Sequence, residues 1–254
     1  MRRAANHLLN ELRMMYYIKR RYWFETVGGL VFFAGLFSAM VYAVLSVSGK
    51  SFASGELDTM TVGFLLWLFA SHSYSSAAKD VAEETHQRTI EQLYIVPLPV
   101  AALLGLRTTV HLLSSLFVLI GGLAVIDLIT ANRLKLDIVQ VLGAILLAAP
   151  ALIGVGYVIA GLLLLLKKAE IVHALMYFAL ISLVALPAYP VNALALLPYA
   201  LASAAVKAAA LGAILSPATY LLIAANSLVY LAGGLVSFHY LEKRARKLGV
   251  IGHW

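Results

Sequence analysis

Ser71-His72-Ser73-Tyr74-Ser75-Ser76 is a dense run of hydrogen-bonding side chains set in an otherwise apolar stretch. An imidazole among hydroxyls suits a proton site or the lining of a polar pathway, since polar groups at membrane depth are costly and mark function. The alternative is placement at a membrane interface near Lys79, with the hydroxyls bonded back to their own helix. That alternative is favoured, because His72 is the run's ionisable group and no carboxylate adjoins it in sequence. Against it, His72, Tyr74 and Asn226 are kept as candidates for pathway lining. Asn226 is weighed against a bond to a neighbouring helix, and Asp127 against pairing with Arg133 or Lys135.

Enzymatic chemistry has little to work with. A site built from His72, His111, Asp127 and a serine has no linking motif: His-Glu-x-x-His, Gly-x-Ser-x-Gly and paired aspartates are all missing from the sequence. His111 and His173 have no histidine partner four residues away, which disfavours a metal site. Cysteine is absent, which removes disulfides, thiolate ligands and a catalytic thiol. No catalytic, cofactor-binding or metal-binding residue is assigned. An intramembrane enzyme and a membrane scaffold without transport stay open as alternatives.

The other polar concentration is Lys79 to Arg107, with Asp80, Glu83, Glu84, Thr85, His86, Gln87, Arg88, Thr89, Glu91 and Gln92. Connections between helices usually take about 2 to 8 residues, so this segment is too long and too polar for a turn. It predicts a docking element: a short helix from about Glu83 to Tyr94, ending before Pro97, with Ile90, Leu93 and Tyr94 as an apolar edge suited to a socket in a partner.

The elements that carry these residues follow from composition. Of 254 residues 62% are hydrophobic and 12% charged, far from the soluble balance of about half and a quarter. A bilayer core about 30 Å thick takes roughly 20 apolar helical residues. Uncharged runs of 24, 20, 19, 29, 36 and 34 residues separate Glu25 from Lys50, Asp58 from Lys79, Arg107 from Asp127, Asp137 from Lys167, Glu170 from Lys207 and Lys207 from Glu242. They are continuous and rich in Leu, Ala and Val, unlike the alternating segments of about 10 residues in a spanning barrel. The first run also exceeds the 7 to 15 apolar residues typical of a cleaved signal.

Six helical spans are predicted, near Val27 to Val47, Thr59 to Ala78, Thr108 to Ile126, Ile138 to Leu166, Ile171 to Tyr189 and Ala218 to Phe238. With both termini cytoplasmic, 15 of the 19 basic residues fall inside; Lys50, Arg133, Lys135 and Lys207 fall outside. The positive-inside rule favours that orientation in a multi-pass protein of the cell membrane. The formal charge of +7 is thereby explained without nucleic acid.

Residues 190–217 are apolar enough for a seventh span, which would send Lys243, Arg244, Arg246 and Lys247 outside. Pro190, Pro198 and Pro217 each remove a backbone donor. A re-entrant helical hairpin dipping from the outer face is therefore expected, with Lys207 snorkelling outward. Before the first span, Leu8, Leu9, Leu12, Met15 and Tyr16 recur at helical spacing, predicting an amphipathic interfacial helix over residues 6–22. Arg20, Arg21, Tyr22 and Trp23 would anchor it to acidic membrane lipid, or the helix would meet a partner. Gly28, Gly29, Gly35, Gly154, Gly156, Ala160 and Gly161 allow close helix approach.

Glu84-Thr85-His86-Gln87-Arg88-Thr89-Ile90-Glu91-Gln92-Leu93, followed by Pro97-Leu98-Pro99, resembles the acidic, Gly-Thr-Leu-Glu-Gln-Leu, then Thr-Pro-Leu pattern of type-2 ABC exporter permeases; Arg88 stands where that family has glycine. Leu215-Ser216-Pro217-Ala218-Thr219-Tyr220-Leu221 is similar to the family's Asn-Pro-Leu-Thr-Tyr approach to the last span, and the basic exit from Glu242 to Lys247 is similar too. The resemblance extends over residues 1–254 as a single permease domain. It implies that residues 83–96 are a cytoplasmic coupling helix, with Glu83, Glu84, Arg88, Thr89, Ile90, Glu91, Gln92 and Leu93 engaging a separate ABC ATPase subunit. It also implies a second permease copy, as a homodimer or related heterodimer, and export of an amphiphile such as a drug, lipid or glycan. No P-loop sequence occurs, so ATP and Mg would sit on the partner, with no cofactor on this chain.

Overall fold

A computed structural model of the chain describes residues 2–48, 55–87, 89–96, 98–129, 138–166 and 170–249. Among these residues the fold is all-helical. The helices are α1 (Arg2–Arg21), α2 (Trp23–Ser48), α3 (Gly55–His86), α4 (Ile90–Leu93), α5 (Val100–Ile129), α6 (Ile138–Leu166), α7 (Glu170–Ala185), α8 (Ala200–Ala210) and α9 (Pro217–Lys247), with a 3₁₀ turn at Ala193–Leu196.

Among the described residues four helices are long and apolar enough to cross a membrane: α2, α5, α6 and α9. They make the chain a multi-pass membrane protein. Two segments counted as spans from the sequence fall short of that test. The polar Ser71–Ser76 run and the charged end from Lys79 dilute α3, although it is 32 residues long. α7 is only 16 residues, about 24 Å of rise, because Pro187 stops it before Tyr189.

α6 is the centre of the bundle, packed most extensively on α9 and next on α3. Small residues allow this. A Cβ on Gly154 would lie 2.2 Å from the Tyr230 carbonyl oxygen of α9, and one on Gly156 would lie 2.3 Å from the Tyr74 carbonyl oxygen of α3. Opposite faces of α6 thus touch two backbones, and dispersion between closely apposed helices supplies attraction that lipid cannot erase. The expectation for Gly28, Gly29 and Gly35 is corrected: a Cβ there meets nothing within 4 Å, because α2 stands at the edge of the bundle.

α8 is 11 residues long and nearly all buried, against α3, α6 and α7. Its first flank, Tyr199, is held at φ 67, a left-handed conformation that costs a non-glycine residue about 1 to 2 kcal/mol. The buried Tyr199 hydroxyl donates to the Leu66 carbonyl at 3.2 Å, which fixes it there. Gly212 at φ 91 then turns the chain. Ser216 caps α9, accepting from the Thr219 N–H at 3.3 Å, and Pro217 opens the helix where its missing N–H costs nothing.

Candidate functional site

α3 runs unbroken through Glu83 and Glu84 to His86, because Ala82-Glu83-Glu84-Thr85 contains no helix breaker. The predicted helix over residues 83–96 is thus corrected: its first turn is the end of α3, and only Ile90–Leu93 forms a separate turn, α4. Arg88 lies outside the described residues. The Thr89 N–H donates to the Glu84 carbonyl at 2.8 Å, folding the chain back on the α3 terminus. Thr89 does not cap α4; its hydroxyl donates instead to the Glu84 carboxylate at 2.5 Å.

The orientation of α4 overturns the expected apolar docking edge. Ile90 and Leu93 are 3% and 4% exposed and belong to the protein's own core. The outward residues are Glu91 and Gln92, with Ile95 at 82% exposure just beyond and Glu83, His86 and Gln87 at the end of α3. The outward surface is therefore two carboxylates, two amides, an imidazole and an isolated isoleucine around a turn seated on the core.

Two charged contacts tie this turn to distant helices. Arg107 of α5 donates to Glu84 at 2.7 Å and to Glu11 of α1 at 3.4 Å, joining α1, α3 and α5 at one half-buried guanidinium. Beside α4, Arg246 stacks over the Tyr94 ring at 4.4 Å and pairs with the buried Glu242 carboxylate at 2.5 Å. Burial and then Glu242 push the Tyr94 phenol above its ordinary range. The α4 turn is thus held to the start of α5 and to the far end of α9.

Next to it α1, α3 and α5 enclose a cleft of about 360 Å³ that gathers Glu11, Lys19, Asp80, Glu84, Arg107 and His111. His111 lies 3.3 Å from Asp80. Burial lowers the affinity of the Lys19 amine for its proton. α1 presents Leu8, Glu11, Leu12, Met15 and Lys19 as its partly buried face, packed on α5. Leu9 and Tyr16, grouped with that face from the sequence, are exposed.

The other candidates are dispersed. His72 lies exposed on α3, whereas Tyr74 is fully buried with its ring edge-on to Tyr177 at 5.6 Å. Tyr74 packs inside the bundle, where α6 approaches its backbone at Gly156. The Ser75 and Ser76 hydroxyls donate to carbonyls three residues back, at 3.4 and 3.0 Å, whereas the buried Ser71 and Ser73 hydroxyls have no hydrogen-bond partner among the described residues, so the expected back-bonding holds for two of the run's four serines. Asn226 donates to the carbonyls of Ala195 and Leu196 at 3.2 and 3.0 Å, and the Tyr230 hydroxyl donates to the same Leu196 carbonyl at 3.0 Å. Asn226 therefore holds the 3₁₀ turn onto α9. Arg133 and Lys135, and the side chains of Asp127 and His173, lie outside the described residues. Among the described residues no group of three or more His, Cys, Asp or Glu side chains is placed to hold a metal ion.

Sequence reasoning missed Arg107 as the hub and Arg246 as the clamp, since their partners lie 23, 96 and about 150 residues away along the chain. A lone arginine at the foot of an apolar run was the available signal. Neither protein-family models nor curated protein sequences give a match to this chain.

Proposed function

We propose that this chain is the transmembrane permease subunit of an ATP-binding cassette exporter of the type-2 kind. The observation that carries the proposal is the build of α4: an exposed Glu91-Gln92 turn seated on the core through Ile90 and Leu93 and clamped at both flanks. A turn so held cannot move alone. A push on it passes to α3 and α5 through Glu84 and Arg107, and to α9 through Tyr94 and Arg246. That is what a relay from an external ATPase to membrane helices demands, a two-state element biased by the motion of a partner.

In this reading α3 and α7 complete six spans, both termini and α4 face the cytoplasm, and the buried α8 with the 3₁₀ turn forms a re-entrant hairpin at the outer side. The shortness of α8, about 16 Å of rise, supports the hairpin over a seventh span. Two permease copies and two ATPases form the exporter, ATP and Mg reside on the ATPase, and the cargo is an amphiphile. The proposal is tested by co-purifying the chain from membranes with the Walker-type ATPase encoded beside its gene, then following ATP-dependent release of a fluorescent amphiphile from vesicles. A stable complex with nucleotide-dependent release supports it; a chain that purifies without any ATPase removes it.

A further inference from the structure

At the end of the bundle away from α4, α2 stands off from α3 and α7 and leaves a groove of about 600 Å³. Its walls are Leu36 and Met40 of α2, Phe64 and Trp67 of α3, and Val184 of α7. Its floor is open at Gly63, where a Cβ would meet nothing within 4 Å. Phe64 and Trp67 lie 5.9 Å apart along α3 and form an aromatic strip on one wall, and the buried Phe37 of α2 backs Phe64 at 5.3 Å. Among the described residues no acidic side chain lines the groove, and its one charge is Lys207 of α8, half-buried.

Lys207 donates to the Val184 carbonyl near the end of α7 and makes no ion pair among the described residues. An ammonium has three donors, so this contact leaves further hydrogen-bonding capacity at the mouth of the groove. Burying part of a cation without a counter-anion is costly. The groove therefore combines an apolar trough with a positive charge that no described residue compensates, set beside the end of α7 and the start of α3. α3 rises about 12 Å from Thr59, near Lys207, to Trp67, so an acyl chain starting at the charge runs along the aromatic strip.

We infer that this groove holds an anionic phospholipid of the surrounding bilayer, its headgroup phosphate at Lys207 and an acyl chain between α2 and α3. The inference stands independently of any transport activity. A second copy of the chain would also cover the apolar walls, but only with an acid placed opposite Lys207.

The test uses the full chain with Trp23→Phe and Trp254→Phe, which leaves Trp67 as the one fluorophore among three tryptophans. The protein is reconstituted in phosphatidylcholine vesicles containing a minor fraction of either dibrominated phosphatidylglycerol or dibrominated phosphatidylcholine. Contact quenching of Trp67 should report roughly fivefold enrichment of the anionic lipid, the scale expected for one lysine at a membrane surface. Lys207→Gln should abolish the preference and Lys207→Arg should keep it. Gly63→Leu, which fills the floor, should lower quenching by both lipids with Lys207 intact, and it decides the matter if Lys207→Gln fails to fold. Equal quenching by both lipids in the parent chain, an unchanged preference in Lys207→Gln, or quenching unaffected by Gly63→Leu would overturn the inference. Absence of quenching by either lipid would assign the groove to a protein occupant instead.

Discussion

Glu84 divides its carboxylate between two helices: one oxygen lies 2.7 Å from Arg107 Nη1 on α5, and the other takes the Thr89 hydroxyl at 2.5 Å just before α4. One side chain therefore sets both where α3 ends and how the next turn sits against α5. Glu84→Gln leaves the shape but removes the charge. The loss should be roughly 1.5 to 3 kcal/mol, the range for hydrogen bonds to a charged group, seen as a lower midpoint for thermal unfolding in detergent. Arg107→Gln should lower it at least as much, because Glu11 is released as well.

The glycines of α6 make a second prediction. Gly154→Ala places a Cβ against the α9 backbone and Gly156→Ala against that of α3, and neither backbone can swing aside as a side chain would. Each should destabilise the bundle by about 1 to 3 kcal/mol. Gly28→Ala and Gly35→Ala face open space and should be neutral by the same thermal measurement.

A third concerns the 3₁₀ turn. Asn226→Leu removes two bonds to it and Tyr230→Phe removes one, each bond worth about 1 kcal/mol. Hydrogen exchange over Ala193–Leu196 should quicken in both variants and most in the double variant. Exchange across α3 and α6 should stay unchanged.

His72 and Tyr74 should separate cleanly. His72→Ala alters an exposed residue and should leave a folded, monodisperse protein. Tyr74→Ala empties a fully buried aromatic site and should cost about 3 to 5 kcal/mol, read as aggregation in size-exclusion chromatography.

Much of the helical framework was legible because it rests on local features. Apolar runs gave the long helices, and Pro217, read as a break before a span from Ala218, gave the start of α9. The polar segment after Lys79 was legible as unusual. Its division was not: Glu83 belongs to α3 because nothing before Gln87 breaks a helix, and the break is made by Thr89 folding back onto Glu84. Which face of α4 points inward was also hidden, since one helical turn has no periodicity to read. Ile90 and Leu93 fit a socket in the chain's own core as readily as one in a partner. The Arg107 and Arg246 contacts depend on helices brought together by α6, and no local pattern announces them.

The most direct test of the relay is the ATPase rate of the complex in nanodiscs, comparing the parent with Glu91→Arg and Ile95→Asp, both exposed substitutions that spare the core. The account predicts that each variant stays folded while the ATPase dissociates or its rate ceases to respond to the permease. Parental coupling in both variants would contradict the placement of the relay at α4.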